Sequence, residues 1–100
     1  MDETVATAAC LLVNDVGLHA RPSVKLTKLA KGFGARIDMA LAEGGPWVDA
    51  KSIVKVMATK APKGATLLLR ADGPDAEDAI AALVGLIERN FDEGGAHAHA

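Results

Sequence analysis

The spacing of hydrophobic and polar residues along the chain predicts four β-strands. Residues 5–14 form a short apolar run, which is typical of a strand buried on at least one face. Residues 35–41 alternate between apolar and polar, and this predicts a strand with one buried face and with Asp38 on its polar face. A brief strand at 47–49 and a fourth strand at 65–71 complete the predicted sheet.

Three helices are predicted between and after these strands. Apolar residues recur at three-to-four spacing over residues 22–31, which predicts an amphipathic helix. Ser52 is suited to cap a short helix of about two turns. The last helix is predicted to begin with Pro74 at its first position, where the missing amide costs nothing. Its predicted buried stripe consists of Ile80, Leu83, Val84, Ile87 and Phe91.

The predicted element order is strand, helix, strand, strand, helix, strand, helix (βαββαβα). This order favours one α+β domain over residues 1–92, with a four-stranded antiparallel sheet and three helices on one face. Residues 93–100 are predicted to be a flexible C-terminal tail. Periodicity leaves the strand order open, and a ferredoxin-like ligand-binding domain would have the same first six elements.

Composition narrows the class of protein. One hundred residues leave room for a single small domain and exclude a multidomain enzyme. A net charge of −2 excludes the strongly basic surface of a nucleic-acid-binding protein. An acidic N-terminus and short apolar runs predict a cytoplasmic protein with no membrane insertion. Cys10 is the single cysteine, so it forms no intramolecular disulfide, and its apolar neighbours predict that it is buried.

The segment Gly-Leu-His-Ala-Arg-Pro-Ser at residues 17–23 is the candidate site, because a helix is predicted to begin within a residue or two of His19. The first amides of a helix lack intrahelical acceptors and carry roughly +0.5 charge. That charge disfavours the imidazolium form and so favours a neutral, nucleophilic ring. The amides of Ala20 and Arg21, with the Arg21 side chain, could then receive phosphoryl oxygens. The spacing alone also fits a histidine that caps the helix or lies on the surface.

No cofactor or metal is predicted. Residues 32–34 lack the third glycine of a dinucleotide-binding loop, and residues 62–64 do not form a Walker loop. The chain could therefore hold a phosphoryl group but could not draw one from ATP by itself. His97 and His99 form a His-x-His pair in the predicted tail, but two ligands with no third nearby make a weak metal site.

Three segments of the chain resemble the HPr family, the histidine-containing phosphocarriers of the bacterial sugar phosphotransferase system. Residues 17–22 (Gly-Leu-His-Ala-Arg-Pro) resemble the active-site motif of that family. Residues 50–53 (Ala-Lys-Ser-Ile) resemble the segment around its regulatory serine, and residues 71–73 (Ala-Asp-Gly) match the start of its last helix. The resemblance covers residues 5–91 in unbroken order and implies an HPr-like open-faced sandwich.

The resemblance implies a role for each matching residue. His19 would accept phosphate on Nδ1 from phospho-enzyme I, charged by phosphoenolpyruvate, and pass it to a IIA-type acceptor. Arg21 would steady the phosphohistidine, and Ser52 would be modified by HPr kinase/phosphorylase. The implied partner-docking residues are Ile53, Val54 and Met57. The protein would be a monomeric carrier and a substrate of phosphotransferases, not an enzyme with its own turnover.

The chain also departs from the family pattern. Lys60 stands where the family commonly has a glycine after the second helix, so we expect that loop to follow another path. The hairpin at residues 44–46 is about two residues longer than usual, and Ser23 replaces a small apolar residue.

Three rival functions remain at this point. The nearest is the nitrogen-related branch of the same family, in which the same chemistry feeds regulation. The others are a purely regulatory binding module, with an idle His19, and a ferredoxin-like domain that binds a small molecule.

Overall fold

A computed structural model describes residues 5–13 and 17–92 of the chain. The strands are β1 (Val5–Leu11), β2 (Arg36–Leu41), β3 (Val48–Asp49) and β4 (Thr66–Asp72). The helices are α1 (Ala20–Ala30), α2 (Ile53–Ala58) and α3 (Ala76–Glu88). The element order is the predicted one. The predicted tail at 93–100 lies outside the described residues, so the domain boundary at residue 92 stays a prediction.

The sheet has the strand order β1-β4-β2-β3, and every neighbouring pair is antiparallel. Because β1 and β2 both flank β4, they run parallel to each other, and α1 crosses over β4 to connect them. The predicted α+β class is confirmed, with a four-stranded antiparallel sheet and three helices. No helix in the described part of the chain has the length and apolarity needed to cross a membrane.

The core lies between the sheet and the helices. Leu67, Leu69 and Ala71 of β4 all face it and are fully buried, as their alternation predicted. Other fully buried large side chains are Leu12, Leu26, Ile37, Met39, Leu83, Ile87 and Phe91. Each contributes about 1.5–3 kcal/mol through removal of apolar surface from water. Of the predicted stripe of α3, Val84 is only half-buried, and Leu86 is buried instead.

Two polar or reactive side chains are buried with identifiable causes. Cys10 is buried as predicted, and this burial, with the nearby charge of Glu88, raises the pKa of its thiol. Asp38 was predicted on a polar face, but it is only 6% exposed. Its Oδ2 lies 3.2 Å from Nε of Arg36 and 3.3 Å from a guanidinium nitrogen of Arg70. These two cations compensate the buried charge, which spacing along one strand could not reveal.

Helix α1 begins at Ala20, within a residue or two of His19 as predicted, and Pro22 lies in its first turn. The predicted start of α3, by contrast, was wrong. Pro74 lies before α3, because Asp75 precedes the first helical residue. The Asp75 carboxylate accepts hydrogen bonds from the backbone amides of Gly34 and Ala35, both at 2.8 Å. Asp75 therefore joins the start of α3 to the loop before β2.

Candidate functional site

The turn that precedes α1 is packed tightly against a distant segment of the chain. Gly17 has a φ of 65°, and a Cβ added there would overlap the carbonyl oxygen of Ala61 and lie 2.9 Å from Cα of Pro62. Leu18 donates a backbone hydrogen bond of 2.9 Å to the same Ala61 oxygen. Only glycine combines this backbone conformation with this close approach, so the turn fixes the entry of the chain into α1.

His19 is the N-cap residue of α1, in an extended conformation with φ −85° and ψ −169°. Its backbone oxygen accepts the first helical hydrogen bond, from the Ser23 amide at 3.0 Å. Its side chain makes no capping hydrogen bond, and the residue is exposed. The interpretation of His19 as a capping side chain is therefore wrong, and the imidazole is available for chemistry.

The first turn of α1 offers positive electrostatic potential next to this imidazole. Ala20 and Arg21 are its first two residues and both are exposed. The helix itself provides no acceptor for amides at these positions, and Pro22 has no N–H. The first turn contains no acidic residue that would offset the helix dipole. An anionic group on the ring would therefore meet favourable dipoles.

The His19 side chain lies in an open depression of about 850 Å³. The depression is lined by Leu18, His19, Ala20, Met57, Lys60, Ala61, Pro62 and Lys63. Apart from the histidine these residues are apolar or cationic, and none is a carboxylate. The depression therefore suits a negatively charged group and an apolar contact surface together.

Among the predicted site residues, Met57 of α2 shares this depression with His19 and Ala20. Val54 and Met57 are exposed at 73% and 39%, whereas Ile53 is half-buried. Exposed apolar side chains of this size on one short helix form a surface that a protein partner can cover.

Ser52 is the N-cap of α2, as predicted. Its Oγ accepts a hydrogen bond from the Lys55 amide at 3.3 Å, and its side chain is half-exposed. Neither Ser52 nor Arg21 lines the depression that contains His19. The start of α2 at Ser52 is thus outside the depression, whereas Met57, further along the same helix, lines it.

Lys60 follows the C-cap of α2 in the left-handed conformation, with a φ of 51° and a hydrogen bond of 3.1 Å from its amide to the Met57 oxygen. The predicted detour of this loop is therefore wrong. A residue with a Cβ costs about 1 kcal/mol more than glycine in this conformation. The lysine is evident in the sequence, but its place in the depression is not. The signal was a lysine where a helix end favours glycine.

Comparisons with known proteins point in one direction. The family model described as "PTS HPr component phosphorylation site" matches residues 7–89. The chain is 47% identical over 83 residues to the phosphocarrier protein HPr of Cupriavidus necator, covering 83% of this chain and 91% of that protein. It is 35% identical over 82 residues to the phosphocarrier protein NPr of Escherichia coli, covering 82% and 90%.

Solved structures match the fold over nearly its whole length. The crystal structure of HPr-C-His from Thermoanaerobacter tengcongensis has a TM-score of 0.83 and 36% identity, covering 88% of this chain and 97% of that one. The phosphocarrier protein HPr from Bacillus anthracis has a TM-score of 0.77 and 29% identity, covering 83% and 96%.

Proposed function

Since the chain belongs to the HPr family, the phosphocarriers of the phosphoenolpyruvate-dependent phosphotransferase system, we propose that His19 is the residue that carries the phosphoryl group. One observation carries this proposal: the imidazole stands exposed at the start of α1 and is not used to cap the helix. Members of this family transfer a phosphoryl group and are not enzymes. The chemistry at His19 is therefore a stoichiometric acceptance and release.

The transfer is a displacement at phosphorus. The lone pair on Nδ1 of the neutral imidazole forms a P–N bond while the bond between phosphorus and the donor group of phospho-enzyme I breaks. The donor group keeps the electron pair of the broken bond. A IIA-type acceptor then displaces the phosphoryl group from His19 in the same way. Because the attacking lone pair belongs to a neutral ring, no base is needed to generate the nucleophile.

The first turn of α1 would stabilise the phosphorylated state. The amides of Ala20 and Arg21, at the positive end of the helix, would receive phosphoryl oxygens on His19. The Arg21 guanidinium adds a charge-assisted donor of the kind that binds phosphate. The first turn would thus act through preorganised dipoles and the Arg21 cation.

The partners of this transfer would bind over α2. Ile53, Val54 and Met57 form the docking surface in this proposal, and enzyme I and the IIA-type acceptor use it in turn. Such an interface is small and transient. Val54→Ser should slow transfer about fivefold, because it removes an apolar contact. Val5→Ser, at the far end of β1 and exposed at 54%, should leave the rate unchanged, and equal rates for both variants would contradict this docking surface.

Ser52 is a candidate for regulatory phosphorylation by an HPr kinase/phosphorylase. A phosphate on its half-exposed Oγ would place about two negative charges beside the apolar docking surface. Ser52→Asp should therefore reduce transfer from enzyme I, whereas Ser52→Ala should transfer normally. Normal transfer by the aspartate variant would argue against this regulation.

The proposal includes a cytoplasmic location, as expected from the sequence. Both HPr and NPr relatives match this chain, so the same carrier chemistry fits the sugar-related and the nitrogen-related branches. The identity of the acceptor distinguishes the two branches.

The test is a transfer assay with labelled phosphoenolpyruvate and enzyme I. The chain has three histidines, so His19→Ala is compared with a double variant, His97→Ala with His99→Ala. We expect acid-labile, alkali-stable label on the wild type and on the double variant, and none on folded His19→Ala. Label that persists on His19→Ala would overturn the proposal.

A further inference from the structure

Lys60 is a lysine in a backbone position that glycine fills most easily. It follows the last turn of α2 with a φ of 51°. The Cβ of a lysine disfavours this conformation, so helix geometry does not explain the choice of residue. Its side chain is exposed, so packing does not explain it either.

The position of Lys60 relative to His19 suggests a reason. Both residues line the same depression, whose other members are apolar except for Lys63. Lys60 forms no ion pair with any other residue of the described ranges 5–13 and 17–92. None of the described residues that line the depression is a carboxylate that could compete for its ammonium group. Lys60 therefore lines a depression in which, among the described residues, only the histidine changes its charge during the proposed reaction.

We propose that Lys60 is an electrostatic stabiliser of the phosphoryl group on His19. This inference rests on the proposed function. Phosphorylation adds about −1.5 to −2 charge to the ring, and the flexible four-carbon stem of Lys60 lets its ammonium approach that charge from across the depression. Because the ammonium is exposed, its effect is screened by salt. Lys60 thereby biases the phosphoryl equilibrium toward this carrier.

The test measures how two carriers share one phosphoryl group. Phosphorylated, 15N-labelled wild type is mixed with an equal amount of unlabelled Lys60→Gln and a trace of enzyme I, and intact masses are measured at alkaline pH. We expect the wild type to hold about threefold more phosphoryl group at low salt, and an equal share at about 0.5 M salt. Lys60→Arg should share equally with the wild type at low salt.

Two controls separate charge at the site from general effects. Lys31→Gln removes an exposed lysine at the other end of α1, about 18 Å from His19. This variant should share the phosphoryl group equally with the wild type. Lys60→Gly relieves the backbone, so its Tm should rise by about 4 °C, while it loses as much phosphoryl group as Lys60→Gln. A more stable carrier that retains less phosphoryl group is not expected from a purely structural lysine.

The outcomes distinguish the carrier function from the role of Lys60. Equal sharing between the wild type and Lys60→Gln at low salt would overturn the role of Lys60 and leave the carrier function intact. Retention of as much phosphoryl group by Lys60→Gly as by the wild type would also overturn the role of Lys60. Failure of the wild type itself to be phosphorylated on His19 would overturn both.

Discussion

Two glycine-containing turns of this molecule differ in how closely other parts of the chain pack against them. A Cβ on Gly17 would overlap the backbone of Ala61, because the turn before α1 is pressed against a distant segment. The hairpin between β2 and β3 contains Gly44 and Gly45, and an added Cβ at either meets no atom within 4 Å. A distant segment therefore excludes a Cβ at the first turn, whereas both hairpin glycines have open space around them.

Backbone hydrogen bonds also connect the region before α1 to a distant segment. Leu12 donates to Ala65 and accepts from Gly64, both at 2.8 Å, and Leu18 donates to Ala61 at 2.9 Å. These bonds tie the segments on both sides of residues 14–16 to the loop between α2 and β4. A side chain that must meet successive partners in one geometry is best placed on such a backbone. The entry of the chain into α1 at His19 is therefore held by hydrogen bonds to a distant loop.

The largest expected effect comes from adding a methyl group to each turn. Gly17→Ala should lower the free energy of unfolding by about 3 kcal/mol or more, because the Cβ meets backbone and φ is positive. Gly45→Ala should stay within about 0.5 kcal/mol of the wild type. Urea unfolding measures the free energy of unfolding of both variants. Similar losses of stability in the two would contradict the proposed difference between the turns.

A smaller effect is expected from Ser23→Ala in α1. This substitution tests whether the helix that begins beside His19 is less stable than it could be. Ser23 is fully buried in α1, and its Oγ has no hydrogen-bond partner among the residues that the structure describes. Ser23→Ala should therefore raise the free energy of unfolding by about 1 kcal/mol. Thr27→Ala is the matched control, because the Thr27 hydroxyl donates to the Ser23 oxygen at 3.0 Å and its removal should destabilise. A loss of stability in Ser23→Ala would contradict this prediction.

The smallest effect concerns a third loop, which a carboxylate holds. The Gly34 amide lowers the pKa of Asp75 below its usual value of 3.8, and the Ala35 amide adds to this. A lowered folded-state pKa means that the stabilisation is present above about pH 4 and is lost as pH falls through the folded pKa. Asp75→Asn should therefore be less stable than the wild type at pH 7, and the gap should close in acid.

Thermal unfolding of both proteins from pH 7 to pH 2 measures this gap. A constant gap across that range would show that the carboxylate charge does not hold the loop. Gly17→Ala serves as the reference, since its defect is steric and should not follow the titration of Asp75.

The sequence predicted the element order and the start of a helix beside His19, because both depend on local signals. Alternation placed Leu67 and Leu69 in the core, and the cap pattern placed Ser52 at the start of α2. Two of the errors coincide with contacts between distant segments. The buried Asp38 is paired with Arg70, 32 residues away. Asp75, which precedes α3, accepts hydrogen bonds from amides 40 and 41 residues away. Spacing along the chain contains no information on such a partner.

Lys60 shows the same limit in the functional site. A lysine disfavours the left-handed conformation, and this local rule predicted a different loop after α2. Lys60 nevertheless adopts the left-handed conformation in which a helix commonly ends. Its neighbours Leu18 and Ala61 are joined by a backbone hydrogen bond across 43 residues of sequence. The depression exists because of that closure, so its lining could not be read from either segment alone.

The central claim, that His19 carries the phosphoryl group, is tested most directly by locating that group by NMR. The protein is labelled with 15N-histidine and phosphorylated by phosphoenolpyruvate and enzyme I, and 31P and 15N shifts identify the phosphorylated nitrogen. We predict a single phosphohistidine, on Nδ1 of His19, with His97 and His99 unchanged. A phosphoryl group found on either tail histidine or on Ser52, with His19 unmodified, would contradict the account.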